Sequence, residues 1–230
     1  MAMYGGMKGA SSRDWGCSKG TVAVPSIAIW FWTTRLLVAG VGGILGEVLN
    51  GIYFHRSGRV IIALVSCFAT VLALRAAALR FRLVTFWSGM FVASVLGAVL
   101  ARTIDTALGV GEPAATLQIV PLLVLTLVIC YRKSGGFAAL TEHPVDELFF
   151  WPIGTIHQTL GSALAGWARS PGGPGYSLAL MVVALGLLTT IGLSLFTRLP
   201  RAALFWIAFL LTGLAAALGG IRGYEILFGP

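Results

Sequence analysis

Ionisable residues are scarce in this sequence, and several fall inside apolar runs. Charge is costly there and marks ion paths, proton relays or buried pairs. The run "WTTRLLVAGVGGILGEVLNG" (32–51) carries Arg35 near its start and Glu47 near its end. A second run ends on Arg102 and Asp105, and a third holds His157-Gln158 near its middle. Glu47 beside Arg102 has two readings. One is a remnant cation or proton site, to which Asp105 adds a further acid. The other is an ion pair at the bilayer edge that fixes how helices pack. Arg35 lies one turn inside the end of its run, so its long side chain is expected to snorkel to the headgroups. Arg75 reads the same way. Gln158 is expected to hydrogen-bond between helices. His157 can ligate a metal or a pigment magnesium, with Gly161 leaving room one turn later. No second ligand stands near it, so neither a metal nor a cofactor is expected.

Other chemistry finds little support. His143, Asp146 and Glu147 in "TEHPVDE" are three potential ligands on a Pro-containing loop. A helix cap with acids in the first turn accounts for them equally well. Cys17, Cys67 and Cys130 have no metal-site spacing and read as unpaired small residues. "GVGEP" and "GGPGY" are glycine turns without the strand-turn-helix setting of a nucleotide site. With no nucleophile constellation, P-loop or zinc motif, no enzyme is expected.

The elements that must position these residues follow from composition. Of 230 residues, 57% are hydrophobic and 10% charged, against about 25% charged in soluble domains. Mean hydropathy is +0.91. The chain reads as an all-α integral membrane protein. Its net charge of +8 is not a nucleic-acid footprint, because the basic residues sit in short gaps between apolar runs. Residues 1–25 form a polar arm rich in Gly and Ser, without the apolar core of a signal peptide; such an arm needs a partner to order it. Residues 26–230 form one membrane domain with seven spans expected at about 27–53, 60–79, 83–104, 114–131, 148–168, 176–197 and 202–221. Lys8, Arg13, Lys19, Arg75, Arg80, Arg82, Arg132, Lys133, Arg198 and Arg201 fall on one side. Arg56, Arg59, Arg102, Arg169 and Arg222 fall on the other. The richer side is cytoplasmic by the positive-inside rule, so the N-terminus is expected inside and the C-terminus in the periplasm.

The odd-numbered spans share a pattern. Each opens on an aromatic pair: Phe31-Trp32, Phe86-Trp87, Phe150-Trp151 and Phe205-Trp206. Ten residues after the Trp stand Gly42, Gly97, Gly161 and Ala216; fourteen after it stand Gly46, Ala101, Ala165 and Gly220. Seven after it stand Ala39, Ser94, Gln158 and Gly213. These offsets share one helix face. A stripe of small residues lets membrane helices approach closely, and Trp32, Trp87, Trp151 and Trp206 are expected as interface anchors. The unit is a helical hairpin repeated three and a half times in one orientation, odd helices inside and Leu/Val/Ile-rich even helices outside.

The segments "FWTTRLLVAGVGGILGE", "FWSGMFVASVLGAVLARTIDTALGVG", "FFWPIGTIHQTLGSALAGW" and "FWIAFLLTGLAAALGG" carry a resemblance over about residues 26–228. The chain resembles the uncharacterised bacterial membrane-anchored proteins built from four tandem two-helix transmembrane repeats with a signature Trp. The resemblance implies no particular activity. It does imply an Asp fifteen residues after each Trp, where this chain has Glu47, Arg102, Gly166 and Ile221, and a further acid that Asp105 matches. It also implies an eighth helix, for which little chain follows span seven. With the acidic ring reduced to one Glu, the expected function is an accessory or scaffolding subunit. The chain would pack against partner subunits and lipid in the bacterial inner membrane. The alternative is a small transporter or channel for a cation, proton or small solute, its path lined by Glu47, Arg102, Asp105, His157 and Gln158.

Overall fold

The computed structural model describes residues 29–53, 57–77, 83–109, 111–134, 144–197, 199 and 201–229, with backbone only at 57, 134, 144–149, 201 and 202. Outside the described residues lie the 1–25 arm with Cys17, together with Arg56, Arg80, Arg82, His143 and Arg198. The side chains of Asp146, Glu147 and Arg201 lie outside them too.

All regular structure in the described residues is helical. The helices are α1 (Ile29–Tyr53), α2 (Ser57–Ala77), α3 (Leu83–Leu108), α4 (Glu112–Ser134), α5 (Pro144–Arg169), α6 (Tyr176–Phe196) and α7 (Arg201–Phe228). A helix satisfies its own backbone, which is why apolar runs of this length take that form in lipid. Six of the seven are long and apolar enough to cross a membrane. The chain is a multi-pass membrane protein by that measure. The exception is α5, which has the length, 26 residues, but carries Thr155, His157, Gln158, Thr159 and Ser162. Helix α7 runs on to Phe228, past the expected end at 221. Glycines at φ 61° and 80° (Gly109, Gly111) and at 86° and 80° (Gly172, Gly175) make the α3–α4 and α5–α6 turns, in a backbone region that other residues rarely enter.

The four odd helices form a closed inner ring in the order α1, α3, α5, α7 and back to α1. Small residues set its diameter. A Cβ added at Gly42 would stand 2.7 Å from the Ser94 Cβ, and one at Gly46 would strike Ala98, so α1 lies directly against α3. At Gly97 it would stand 2.8 Å from the Gln158 Cβ (α3 on α5), at Gly161 3.3 Å from the Ala217 Cβ (α5 on α7), and at Gly220 2.9 Å from the Gly40 carbonyl oxygen (α7 on α1). Ala101, Ala165 and Ala216 are buried with them.

One end of the ring is plugged by aromatics. Phe31, Phe86, Phe150 and Phe209 are at most 2% exposed. Centroids are 6.4 Å apart for Phe31–Phe86, 5.9 Å for Phe86–Phe150 and 5.6 Å for Phe150–Phe209, and Phe205 closes the circle at 5.7 Å from Phe209 and 6.1 Å from Phe31. The four Trp residues expected as interface anchors gather at this end and pack against the bundle. Trp151 and Trp206 are only 4% and 5% exposed, packed among these rings, while Trp32 and Trp87 are partly buried beside them. An indole facing the bundle gains more by packing than by lying in the headgroups.

The even helices cover the ring from outside, each mainly on the odd helix that follows it: α2 on α3, α4 on α5, α6 on α7. No described helix covers α1 in this way.

Candidate site at the charged end of the bundle

Mid-bundle polar residues come first, because they are built from the same stripe. Gln158 and Ser94 occupy the same offset on α5 and α3, and Gln158 Nε2 donates to Ser94 Oγ at 2.6 Å. Their counterpart on α7 is Gly213, and only a glycine fits there, since an added Cβ would collide with the His157 ring. His157 Nε2 lies 2.7 Å from the Leu210 carbonyl oxygen. A carbonyl only accepts, so Nε2 carries the proton. His157 is thus held by a backbone carbonyl of α7, while its buried Nδ1 has no hydrogen-bond partner among the described residues.

Arg35 does not snorkel. It is fully buried and faces α7: Nε donates to Thr212 Oγ1 at 3.1 Å and Nη2 to the Phe209 carbonyl oxygen at 2.9 Å. Its Cζ lies 3.3 Å from the centroid of the Phe209 ring. Stacking and a fork of donors hold the guanidinium inside. Arg75 is also inside, 8% exposed, with its Cζ 5.4 Å from the Phe86 centroid and 5.8 Å from that of Trp151. A position near the end of a run did not reveal either helix face.

The opposite end of the ring from the phenylalanines gathers charge. Glu47 of α1, Arg102 and Asp105 of α3, Glu112 of α4 and Arg169 of α5 surround one cavity, closed below by Ala98, Ala101 and Ser162. It has a volume of about 20 Å³, room for a single water. The structure brings Glu47, Arg102 and Asp105 together, but pairs them otherwise than the spacing suggests. Arg102 Nη1 lies 3.5 Å from Glu112 Oε1 and 3.9 Å from Asp105 Oδ2. Its side chain is 41% exposed, so these loose contacts contribute well under about 1 kcal/mol each. Glu47 makes no ion pair with Arg102 among the described residues. It feels Arg169 and Arg102 as attracting charges and Glu112 as a repelling one. Separately, Arg222 Nη1 pairs with Glu225 at 3.0 Å, and the Tyr176 hydroxyl donates to Glu225 at 3.2 Å.

Two members of the cluster were not singled out in the sequence. Glu112 sits in "GVGEP", read as a turn, and Arg169 counted only toward orientation. One signal was present. Gly166 holds the offset-fifteen position on α5, and the Glu112 carboxylate fills the space its side chain would take: an added Cβ would stand 2.9 Å from Glu112 Oε1. An acid from the neighbouring helix thus occupies the third position of the ring. Because that contact is the far end of a flexible side chain, Gly166→Ala is expected to lower stability by less than about 1 kcal/mol. The same substitution should reduce the salt sensitivity of the thermal midpoint by pushing Glu112 off Arg102. A scan of midpoint against NaCl checks it.

Comparison of the chain with protein-family models, curated proteins and solved structures finds no match. The functional reading therefore stands on the geometry above. Among the described residues, no group of three or more His, Cys, Asp or Glu side chains is placed to hold a metal ion.

Proposed function

We propose that this chain is a non-catalytic multi-pass protein of the bacterial inner membrane, with its N-terminus cytoplasmic, that packs as an accessory subunit within a larger membrane complex. The observation that carries the reading is the uncovered side of α1. Five residues after the Trp of each inner helix stand Leu37, Val92, Ile156 and Leu211. Val92 is 8% exposed and Ile156 is partly buried, packed against the core. Leu211 lies against Gly186 of α6. Leu37 is 68% exposed, and Val41 and Leu45 continue the open stripe at 54% and 38%. Only 22% of the α1 span is buried, against 61% in α3 and α7. Among the described residues, the seat that an even helix takes on every other inner helix is free on α1, and a transmembrane helix of a partner subunit fits it.

A conducting role has less support. The phenylalanine plug fills one end of the ring, and His157 and Gln158 are bound into helix contacts rather than lining the cavity that Glu47, Arg102 and Asp105 share. Photo-crosslinking in intact membranes tests the subunit reading. A photoreactive residue at Leu37 or Val41 is expected to capture one partner polypeptide. The same group at Leu185 or Leu188, on the lipid side of α6, should capture none. Equal capture at both faces, or capture at α1 of a second copy of this chain alone, overturns it.

A further inference from the structure

The charged end opens through a cleft of about 270 Å³ lined by Glu47, Asn50, Gly51, Arg102, Arg169 and Tyr224. Pockets for drug-sized ligands begin near 300 Å³, so this one suits something smaller. Its lining carries both signs of charge. Glu47 and Arg169 both face the cleft, and neither makes a hydrogen bond or an ion pair within 4 Å among the described residues. Arg102 is occupied by Asp105 and Glu112. A simple anion would be drawn to Arg169 and repelled by Glu47; a simple cation would meet the reverse. Glu47 and Arg169 attract each other across the cleft without touching, and a ligand with both charges can bridge the two groups. Tyr224 adds a hydroxyl at the mouth, where its oxygen stands 3.5 Å from a Cβ added at Gly51. Asn50 is held in place by its Nδ2, which donates to the Ala98 carbonyl oxygen at 3.3 Å, so its own carbonyl is free to accept. The cleft lies at the ends of α1, α3, α5 and α7, the depth at which a span meets the headgroups.

We propose that this cleft binds a small phosphate–ammonium zwitterion, the phosphate on Arg169 and Tyr224 and the ammonium on Glu47 and the Asn50 carbonyl. Two sources share that chemistry: the headgroup of an aminophospholipid, and a free solute such as phosphoethanolamine.

The full chain in mild detergent, offered equal amounts of phosphatidylethanolamine, phosphatidylglycerol and phosphatidylcholine, tests the assignment by native mass spectrometry. Phosphatidylethanolamine is expected to be retained about tenfold over the other two, the size of one charge-assisted hydrogen bond. Phosphatidylglycerol brings no ammonium, and the quaternary amine of phosphatidylcholine has no proton to donate. Glu47→Gln should erase the preference over phosphatidylglycerol, both by losing the ammonium's partner and by raising retention of that anionic lipid once the repelling carboxylate is gone. Arg169→Gln should weaken both, and Arg222→Gln, outside the cleft, should alter neither. A delipidated sample titrated with phosphoethanolamine separates the sources. A rise in thermal midpoint there assigns the soluble zwitterion, and no rise assigns the lipid. Equal retention of the three lipids by the unmodified protein, with no phosphoethanolamine effect, overturns the proposal without recourse to any variant. So does a preference that persists in folded Glu47→Gln protein.

Discussion

Gly97→Ala is expected to destabilise the bundle by about 1–3 kcal/mol, the range for forcing extra carbon into a packed core. The added Cβ would stand 2.8 Å from the Gln158 Cβ and 2.9 Å from both the Gln158 carbonyl carbon and the Thr159 amide nitrogen. Two of those three neighbours are backbone, so no rotamer change relieves the contact and α3 must move off α5. The movement stretches the 2.6 Å bond from Gln158 to Ser94, which adds to the loss. Gly219→Ala supplies the comparison. It lies in α7, where an added Cβ meets nothing within 4 Å, and alanine is the better helix former by up to about 1 kcal/mol. That variant should match or exceed the parent. Unfolding midpoints in detergent micelles, measured in parallel, check the pair. Equal behaviour of the two would mean that the small-residue stripe does not set the ring.

The fold was largely legible because its signals are periodic. Length and apolarity announce a helix wherever lipid forbids an unsatisfied backbone, and the helix bounds follow within a few residues over most of the chain. Offsets of ten and fourteen from each Trp name the residues at which inner helices meet, since close approach in a membrane requires missing side chains. The distribution of the even helices was not legible. Nothing in their Leu/Val/Ile-rich faces says that α2 sits mainly on α3 rather than α1, and so the bare side of α1 emerges only in three dimensions.

The charged residues were legible as a group and not as pairs. Glu47, Arg102 and Asp105 do share a cavity, but contact distance depends on rotation about each helix axis, which spacing within one helix does not report. Glu112 shows why. It comes from the first turn of an outer helix and enters through the gap that Gly166 leaves on another, a relation between two segments more than fifty positions apart. Arg35 and Arg75 failed for a related reason. The snorkelling rule uses depth alone, whereas both side chains point inward, and Phe209 or Phe86 and Trp151 receive them there.

Arg35→Met is expected to leave stability within about 1 kcal/mol of the parent or to raise it, while Arg35→Ala and Arg35→Lys lower it by about 2–5 kcal/mol. A guanidinium withdrawn from water costs several kcal/mol even after relaxation. No carboxylate lies within 4 Å of it among the described residues, and Nη1 has no hydrogen-bond partner there. Against that stand two charged hydrogen bonds, at about 1.5–3 kcal/mol each, and the stack on Phe209, at about 2 kcal/mol. The two sides nearly cancel, so volume decides the sign. Methionine removes the charge, fills much of the space and lies against the ring through sulfur. It strands little: the Thr212 hydroxyl already donates to the Ala208 carbonyl oxygen at 2.7 Å, and the Phe209 carbonyl belongs to a helix, where a backbone amide serves it. Alanine removes the charge too but opens a cavity, with the cost that large-to-small core changes carry. Lysine keeps the charge and loses both the planar fork and the stack. The order Met, then parent, then Ala and Lys in denaturant midpoint would identify Arg35 as a packing residue whose charge contributes nothing net. A methionine variant as unstable as the alanine one would mean instead that the hydrogen bonds to α7 outweigh the desolvation, and that α1 is held in the ring by its charge.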